Sequence, residues 1–232
     1  MRIAVIGAGN GGQAMAAYLA SEGAEVRLYD YDAPKVACLN AKGNIIELCG
    51  CLQLKAEISL ISNDLEEVVN GAELIMVTTT ANAHSIIARQ VAPFIEDGQV
   101  IILNPGRTGG ALEFRNILVR EGCKASFHIA EAQTLVYACR LVENGKVNII
   151  GIKDNVLMSA LPSSDTAYVL SKISSYYDCF VPAESVVRTS LENIGAIFHP
   201  CVLLFNAATI ERQDEFWFYR DMTPQVARFI EL

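Results

Sequence analysis

Apolar residues in this chain fall into short continuous runs separated by segments with helical spacing. Ile3 to Ile6 is a run of the kind buried on both faces of a parallel sheet. Gln13 to Glu22 follows with Met15, Tyr18 and Leu19 on one helical face, and Gly23 supplies a stop. Val26 to Tyr29 returns to strand character. The alternation continues with a strand over Ala72–Thr80 and a helix over Ala83–Phe94, where Pro93 marks the end. A strand over Gln99–Asn104, a helix over Ala111–Arg120 and a strand over Lys124–Ile129 come next. Strands alternating with helices predict a parallel sheet covered on both faces.

Beyond that point the pattern changes. Asn144-Gly145 and Lys153-Asp154-Asn155 are turn signals separating β-rich runs, and Asn-Gly between strands marks a hairpin. This predicts an antiparallel meander added to the edge of the parallel sheet. A helix over Ser164–Tyr177 and a short strand at Phe180-Val181 complete a first domain, 1–186. From Thr189 to Arg212 the apolar residues cover nearly the whole helical circumference, which predicts a helix buried on all sides. Thr189 with Glu192, or Ser190 with Asn193, would start it. Pro200 inside it removes a backbone hydrogen bond and is expected to kink the helix beside His199. Residues 187–232 thus form the start of an all-helical second domain.

The turn after the first strand reads Gly7, Ala8, Gly9, Asn10, Gly11, Gly12, with the spacing GxGxxG. The first glycine permits the tight turn, the second lets a pyrophosphate approach the backbone, and the third lets helix and strand pack closely. Free N–H groups at the helix N-terminus would hold the phosphates. Asp30, at the end of the next strand, would accept hydrogen bonds from an adenosine ribose and repel a 2′-phosphate. The motif therefore predicts an α/β fold with a Rossmann-type doubly wound parallel sheet, and NAD(H) favoured over NADP(H). The bland alternative is a glycine-rich turn with Asp30 capping the next segment.

Composition narrows the remaining classes. Hydrophobic residues make up 52% of the chain and charged ones 19%, as expected of a well-buried globular protein. A net charge of −8 with no basic cluster argues against a nucleic-acid surface. The seven cysteines are scattered without a CxxC pair, and with three histidines no zinc-type spacing arises. No metal site is expected. Reduced thiols and the lack of any membrane-length apolar run point to a cytoplasmic protein. Assembly into a homo-oligomer is compatible with the sequence.

Ligands of such sheets bind outside the carboxyl ends of the strands. Thr78 and Thr79, the loop NPGRTGG with Arg107 and Thr108, and Glu131 to Thr134 should therefore border one crevice. Arg107, the only arginine in those loops, would suit a carboxylate, or is an ordinary solvated arginine. His199 is the remaining candidate. A lone histidine in an apolar helix is more often a core residue, yet nicotinamide chemistry needs an acid–base group and histidine titrates near neutral pH.

The stretches GAGNGGQAMAAYLA, NPGRTGG, EAQTLVYACR and NIGAIFHP resemble the octopine/nopaline (opine) dehydrogenases over essentially the whole chain. That resemblance implies a Rossmann domain followed by a helical domain that completes the site. It implies condensation of an amino acid with a pyruvate-like 2-oxo acid and hydride transfer to the imine. By the same resemblance His199 would be the acid–base residue, and Arg107, Thr108 and Thr134 would face the 2-oxo acid. Family members run further past the HP motif, so the second domain is expected to be incomplete here. A reductase of a simple oxo or hydroxy acid and a non-catalytic NAD(H)-binding module remain as alternatives.

Overall fold

The computed structural model describes residues 1–192, 194–218 and 220–231. Its elements open with β1 (Arg2–Ile6), α1 (Asn10–Ser21), β2 (Glu25–Tyr29), α2 (Ala33–Ala41), β3 (Ile45–Gly50), β4 (Leu54–Glu57), β5 (Leu60–Ser62) and α3 (Leu65–Val69). Next come β6 (Leu74–Val77), α4 (Ala81–Val91), β7 (Val100–Leu103), α5 (Gly110–Arg120), β8 (His128–Ala132), β9 (Tyr137–Glu143), β10 (Lys146–Ile152) and β11 (Val156–Leu161). The remainder are α6 (Thr166–Ile173), β12 (Phe180–Pro182), α7 (Val186–Leu191), α8 (Ile194–Phe205), α9 (Ala207–Glu211) and α10 (Pro224–Ile230).

Eight strands form the main sheet in the order β12-β11-β8-β7-β6-β1-β2-β5. From β8 to β5 all neighbours are parallel, and β11 joins β8 antiparallel. Ile3, Val5, Leu74, Met76, Val100 and Ile102 are fully buried in one core layer, and Ala4, Ile6, Ile75, Val77, Ile101 and Leu103 in the other. Burial on both faces is why these strands read as unbroken apolar runs.

The expected meander is divided between two sheets. β9 and β10 pair with each other and, through a parallel β10–β3 ladder, with the β3–β4 hairpin in a separate four-stranded sheet. Only β11 lies on the main sheet. Helix α1 packs between the two sheets, which accounts for its small residues. Ala14, Ala16 and Ala17 are buried along with Met15 and Leu19, so nearly every side is covered. Two side chains tie the second sheet to this helix. Gln13 is fully buried, donates to the Ala8 carbonyl at 2.9 Å and accepts from the Gly145 amide at 2.9 Å. Asn10 Oδ1 accepts from the Leu141 amide at 2.9 Å.

Several element bounds differ from the sequence expectation. The strand expected at Lys124 begins at His128 and includes Glu131, whose charge is held inside the protein. The helix expected over Ser164–Tyr177 is limited to Thr166–Ile173, and Thr78 to Thr80 leave the strand to form a loop.

The chain divides into two compact units, Met1–Leu191 and Glu192–Leu232. Residues 187–191, expected with the second domain, pack with the first because Thr189 and Ser190 hydrogen-bond Glu131. The same bonds replace the expected caps at Thr189 and Ser190; Asn193, the proposed partner of Ser190, lies outside the described residues. In the second unit, α8 runs on through Pro200. It is not buried on all sides: Val202 is fully buried, but Leu203, Leu204 and Phe205 are exposed. A unit this small cannot cover an apolar helix entirely. Among the described residues, no helix is long and apolar enough to cross a membrane.

Candidate functional site

A cleft of about 870 Å³ lies outside the carboxyl ends of β1, β6 and β7, where strand order reverses on either side of β1. Gly7, Gly9, Asn10 and Gly11 form one wall, and Asp30, Thr78, Thr79 and Arg107 also line it. Ala8 and Gly12 are buried or nearly so behind that wall.

Each part of the glycine turn has a steric reason. A Cβ on Gly12 would stand 1.6 Å from the Gly7 carbonyl oxygen, so the helix can pack against the turn only with glycine there. A Cβ on Gly9 would meet nothing within 4 Å; the space beside it is open cleft. Helix α1 begins with no side-chain cap, which leaves its first amides to whatever enters.

Asp30 is 4% exposed. Its Oδ2 accepts from the Ala8 amide at 2.7 Å and from Lys35 Nζ at 2.9 Å, and its Oδ1 accepts from the Asp32 amide at 3.1 Å. The carboxylate therefore braces the glycine turn and is paired with a cation. Lys35 lines the cleft, as does Arg140 of β9, which is brought there by the Asn10–Leu141 bond. Sequence reasoning missed both. The arginine stood in the EAQTLVYACR stretch, but only the second sheet shows that it faces the cleft.

Thr78 Oγ1 donates to the Ile6 and Gly7 carbonyls at 3.0 and 2.9 Å and so pins the turn. Three buried polar atoms lack a hydrogen-bond partner among the described residues: Thr79 Oγ1, Asn104 Oδ1 and His84 Nε2. Thr79 and Asn104 line the cleft. Buried polar atoms that the protein leaves unpaired are places for a ligand's own donors. With the open glycine turn and the uncapped helix, they fit a nicotinamide dinucleotide.

Beneath the cleft sits Glu131, fully buried. Its Oε2 accepts from the Ala111 amide at 2.8 Å, and its Oε1 accepts from the Thr189 and Ser190 hydroxyls, each at 2.6 Å. A Cβ on Gly106 would lie 2.4 Å from Glu131 Cβ, so the loop after β7 rests directly on this side chain. Arg107 stands in that loop at φ 59°, a left-handed conformation unusual for a residue other than glycine. Next to it is His84, 1% exposed. Burial pulls its pKa below the usual histidine value, against a backbone hydrogen bond with Thr79, and the Arg107 charge adds to the lowering.

Thr108 is exposed on the same loop, outside the cleft lining. Thr134 is half-buried and accepts a hydrogen bond from Lys153 Nζ at 2.5 Å. His199 belongs to the second unit, where its side chain is exposed and its ring lies edge-on to Phe218 at 4.9 Å. Among the described residues no group of three or more potential metal ligands occurs.

Residues 2–114 match the N-terminal domain of NAD-dependent glycerol-3-phosphate dehydrogenase, and residues 182–232 match the α-helical domain of NAD/NADP octopine/nopaline dehydrogenase. The chain is 38% identical over 229 residues to an opine dehydrogenase of Arthrobacter sp. (strain 1C), covering 98% of this chain and 64% of that enzyme. A solved structure of octopine dehydrogenase with NADH and L-arginine superposes with a TM-score of 0.76 at 25% identity, over 88% of this chain and 53% of that one. Yersinopine dehydrogenase with bound NADP+ gives a TM-score of 0.72 at 14% identity, over 88% and 52%, and shares the fold. This chain thus spans little more than half to two thirds of the proteins it resembles.

Proposed function

We propose that the chain is of the octopine/nopaline dehydrogenase type and joins an amino acid to a pyruvate-like 2-oxo acid by NADH-dependent reduction. The observation that carries this reading is the 38% identity to an opine dehydrogenase, which extends through the cleft residues and on into the His199 helix. When bound, the nicotinamide cofactor supplies the hydride that reduces the carbon–nitrogen double bond. Everything else is left to the protein.

The amides of Gly9 to Gly12 receive the pyrophosphate at the N-terminus of α1. Asp30 receives the adenosine ribose and favours NAD(H) over NADP(H). Thr78 and Thr79 border the cofactor on the β6 side. Arg107, Thr108 and Thr134 hold the 2-oxo acid. His199 takes the proton from the attacking amine and returns one to the departing carbonyl oxygen, the work of a general acid–base residue. We place the protein in the cytosol, where its seven free cysteines stay reduced.

The test is NADH oxidation with pyruvate and other small 2-oxo acids, each with and without a mixture of amino acids. Turnover only with amino acids supports the proposal. Turnover without them makes the protein a simple oxo-acid reductase. Tight NADH binding with no turnover under any of these conditions would instead mark an NAD(H)-binding module.

A further inference from the structure

Three segments meet at the carboxyl end of β8. The loop carrying Arg107 is joined to it by the Gly106 amide, which donates to the Ala132 carbonyl at 3.0 Å. Gln133 to Val136 continue directly from β8. Because β11 runs antiparallel to β8, its start lies at this same end, and the Gln133 amide donates to the Leu157 carbonyl at 2.8 Å. The turn before β11, with Lys153, is therefore brought alongside. The Lys153 amide donates to the Val136 carbonyl at 3.0 Å, and its Nζ reaches Thr134 Oγ1.

Lys153 is exposed, and its ammonium is positioned by the Thr134 hydroxyl. Its ammonium makes no ion pair with a carboxylate among the described residues, Asp154 beside it included. Although the side chain is exposed, partial desolvation of the ammonium lowers its pKa, and the positive charge of Arg107 adds to the lowering. The cationic side chains of Arg107 and Lys153 thus stand on adjoining loops of an otherwise acidic protein. Tyr137 forms a shared wall: it lines both the cofactor cleft and the cavity of about 510 Å³ that Lys153 borders.

We propose that Lys153, oriented by Thr134, binds the carboxylate of the 2-oxo acid together with Arg107. The assignment rests on the 2-oxo acid reading above and adds a residue to it. Lysine supplies a point charge and arginine a planar fork, so the pair can grip one carboxylate from two sides. Specificity for acids over neutral carbonyl compounds would follow from this site. The hydroxyl of Thr134 fixes where the ammonium stands.

The experiment measures oxalate binding, a 2-oxo acid mimic, to the NADH-loaded protein by calorimetry, for wild type, Lys153→Met, Lys153→Arg and Thr134→Val. Lys153→Met is expected to weaken oxalate about tenfold to a hundredfold, the usual effect of losing a charged hydrogen bond. Lys153→Arg should recover most of that loss, and Thr134→Val should cost less than Lys153→Met. NADH affinity and thermal midpoint should stay at wild-type values in all three. Unchanged oxalate affinity in Lys153→Met overturns the proposal, as does wild-type protein that binds no oxalate. Parallel loss of NADH and oxalate would reduce Lys153 to a structural residue. Since no amine or turnover is involved, a failure of the opine reading would show separately, as amine-independent NADH oxidation.

Discussion

Ser190 Oγ donates to the buried Glu131 carboxylate at 2.6 Å and accepts from the Gly109 amide at 3.0 Å. One hydroxyl thereby joins β8, the Arg107 loop and α7. Since Glu131 also accepts from the Ala111 amide and the Thr189 hydroxyl, its removal strands several buried groups at once. Glu131→Ala should cost about 2–5 kcal/mol of unfolding free energy, because buried neutral donors left without a partner cost about 1–3 kcal/mol each. Glu131→Gln should cost about 1 kcal/mol, because hydroxyls can turn to accept from the new amide while the remaining oxygen keeps the Ala111 bond. Urea unfolding of the two variants checks both values, and a Glu131→Ala cost below about 0.5 kcal/mol would show that the network holds nothing.

That network also explains where the sequence misled. Glu131 is a charge inside a strand, so periodicity placed the strand before it, at Lys124. Thr189 and Ser190 resemble helix caps because Ser and Thr usually serve there, but their hydroxyls belong to a carboxylate 58 and 59 positions away in sequence. Only three-dimensional pairing reveals either. By contrast, β1, the glycine turn, α1 and β2 were legible, because local sterics and burial set them without distant partners. The second sheet was not, since β3 finds its partner in β10, far along the chain. Thus the position of Gly7, Gly9, Asn10, Gly11, Asp30, Thr78 and Thr79 along the cleft could be read off the sequence, while that of Lys35 and Arg140 could not.

His199 carries the chemical step in the proposed reaction and belongs to the second unit, whereas the glycine turn belongs to the first. His199→Ala should reduce turnover by roughly two to four orders of magnitude, the contribution of a general acid–base group. NADH affinity should change less than twofold. Fluorescence titration beside steady-state rates separates the two effects; equal losses in both would identify a structural histidine.

Asp30 has two duties, since it braces the Ala8 amide and is proposed to bind ribose. Asp30→Ser should weaken NADH by about tenfold, in line with loss of charged hydrogen bonds, and should narrow the gap between NADH and NADPH. Lys35→Met separates the charges. With the cation gone and the carboxylate left, NADPH should bind worse while NADH changes little. Titrating both cofactors against both variants decides it, and an unchanged preference in Asp30→Ser removes the ribose role.

The seven thiols should differ in reactivity. Burial pushes Cys179 up to about 11, with the Asp178 charge adding to the shift, and burial also raises Cys139. Neither forms appreciable thiolate at pH 8, whereas Cys51 is exposed. A timed alkylation read by mass spectrometry should therefore label Cys51 first and Cys139 and Cys179 only on unfolding. Early labelling of Cys179 in folded protein would contradict this assignment.

His84 gives the folded state a defined pH dependence. Its folded pKa lies below the ordinary value of about 6.5, so the unfolded chain binds a proton in a range where the folded protein does not. Stability from this residue is fully present above about pH 6.5 and is lost as pH falls toward the folded pKa, by at most about 1.4 kcal/mol per pH unit. The Arg107 charge reinforces the trend, because a second cation beside it opposes protonation. In His84→Leu the site cannot titrate. The urea midpoint of wild type relative to His84→Leu should therefore decrease as pH falls from 7.5 to 5, and a constant difference across that range would show that His84 is not held neutral.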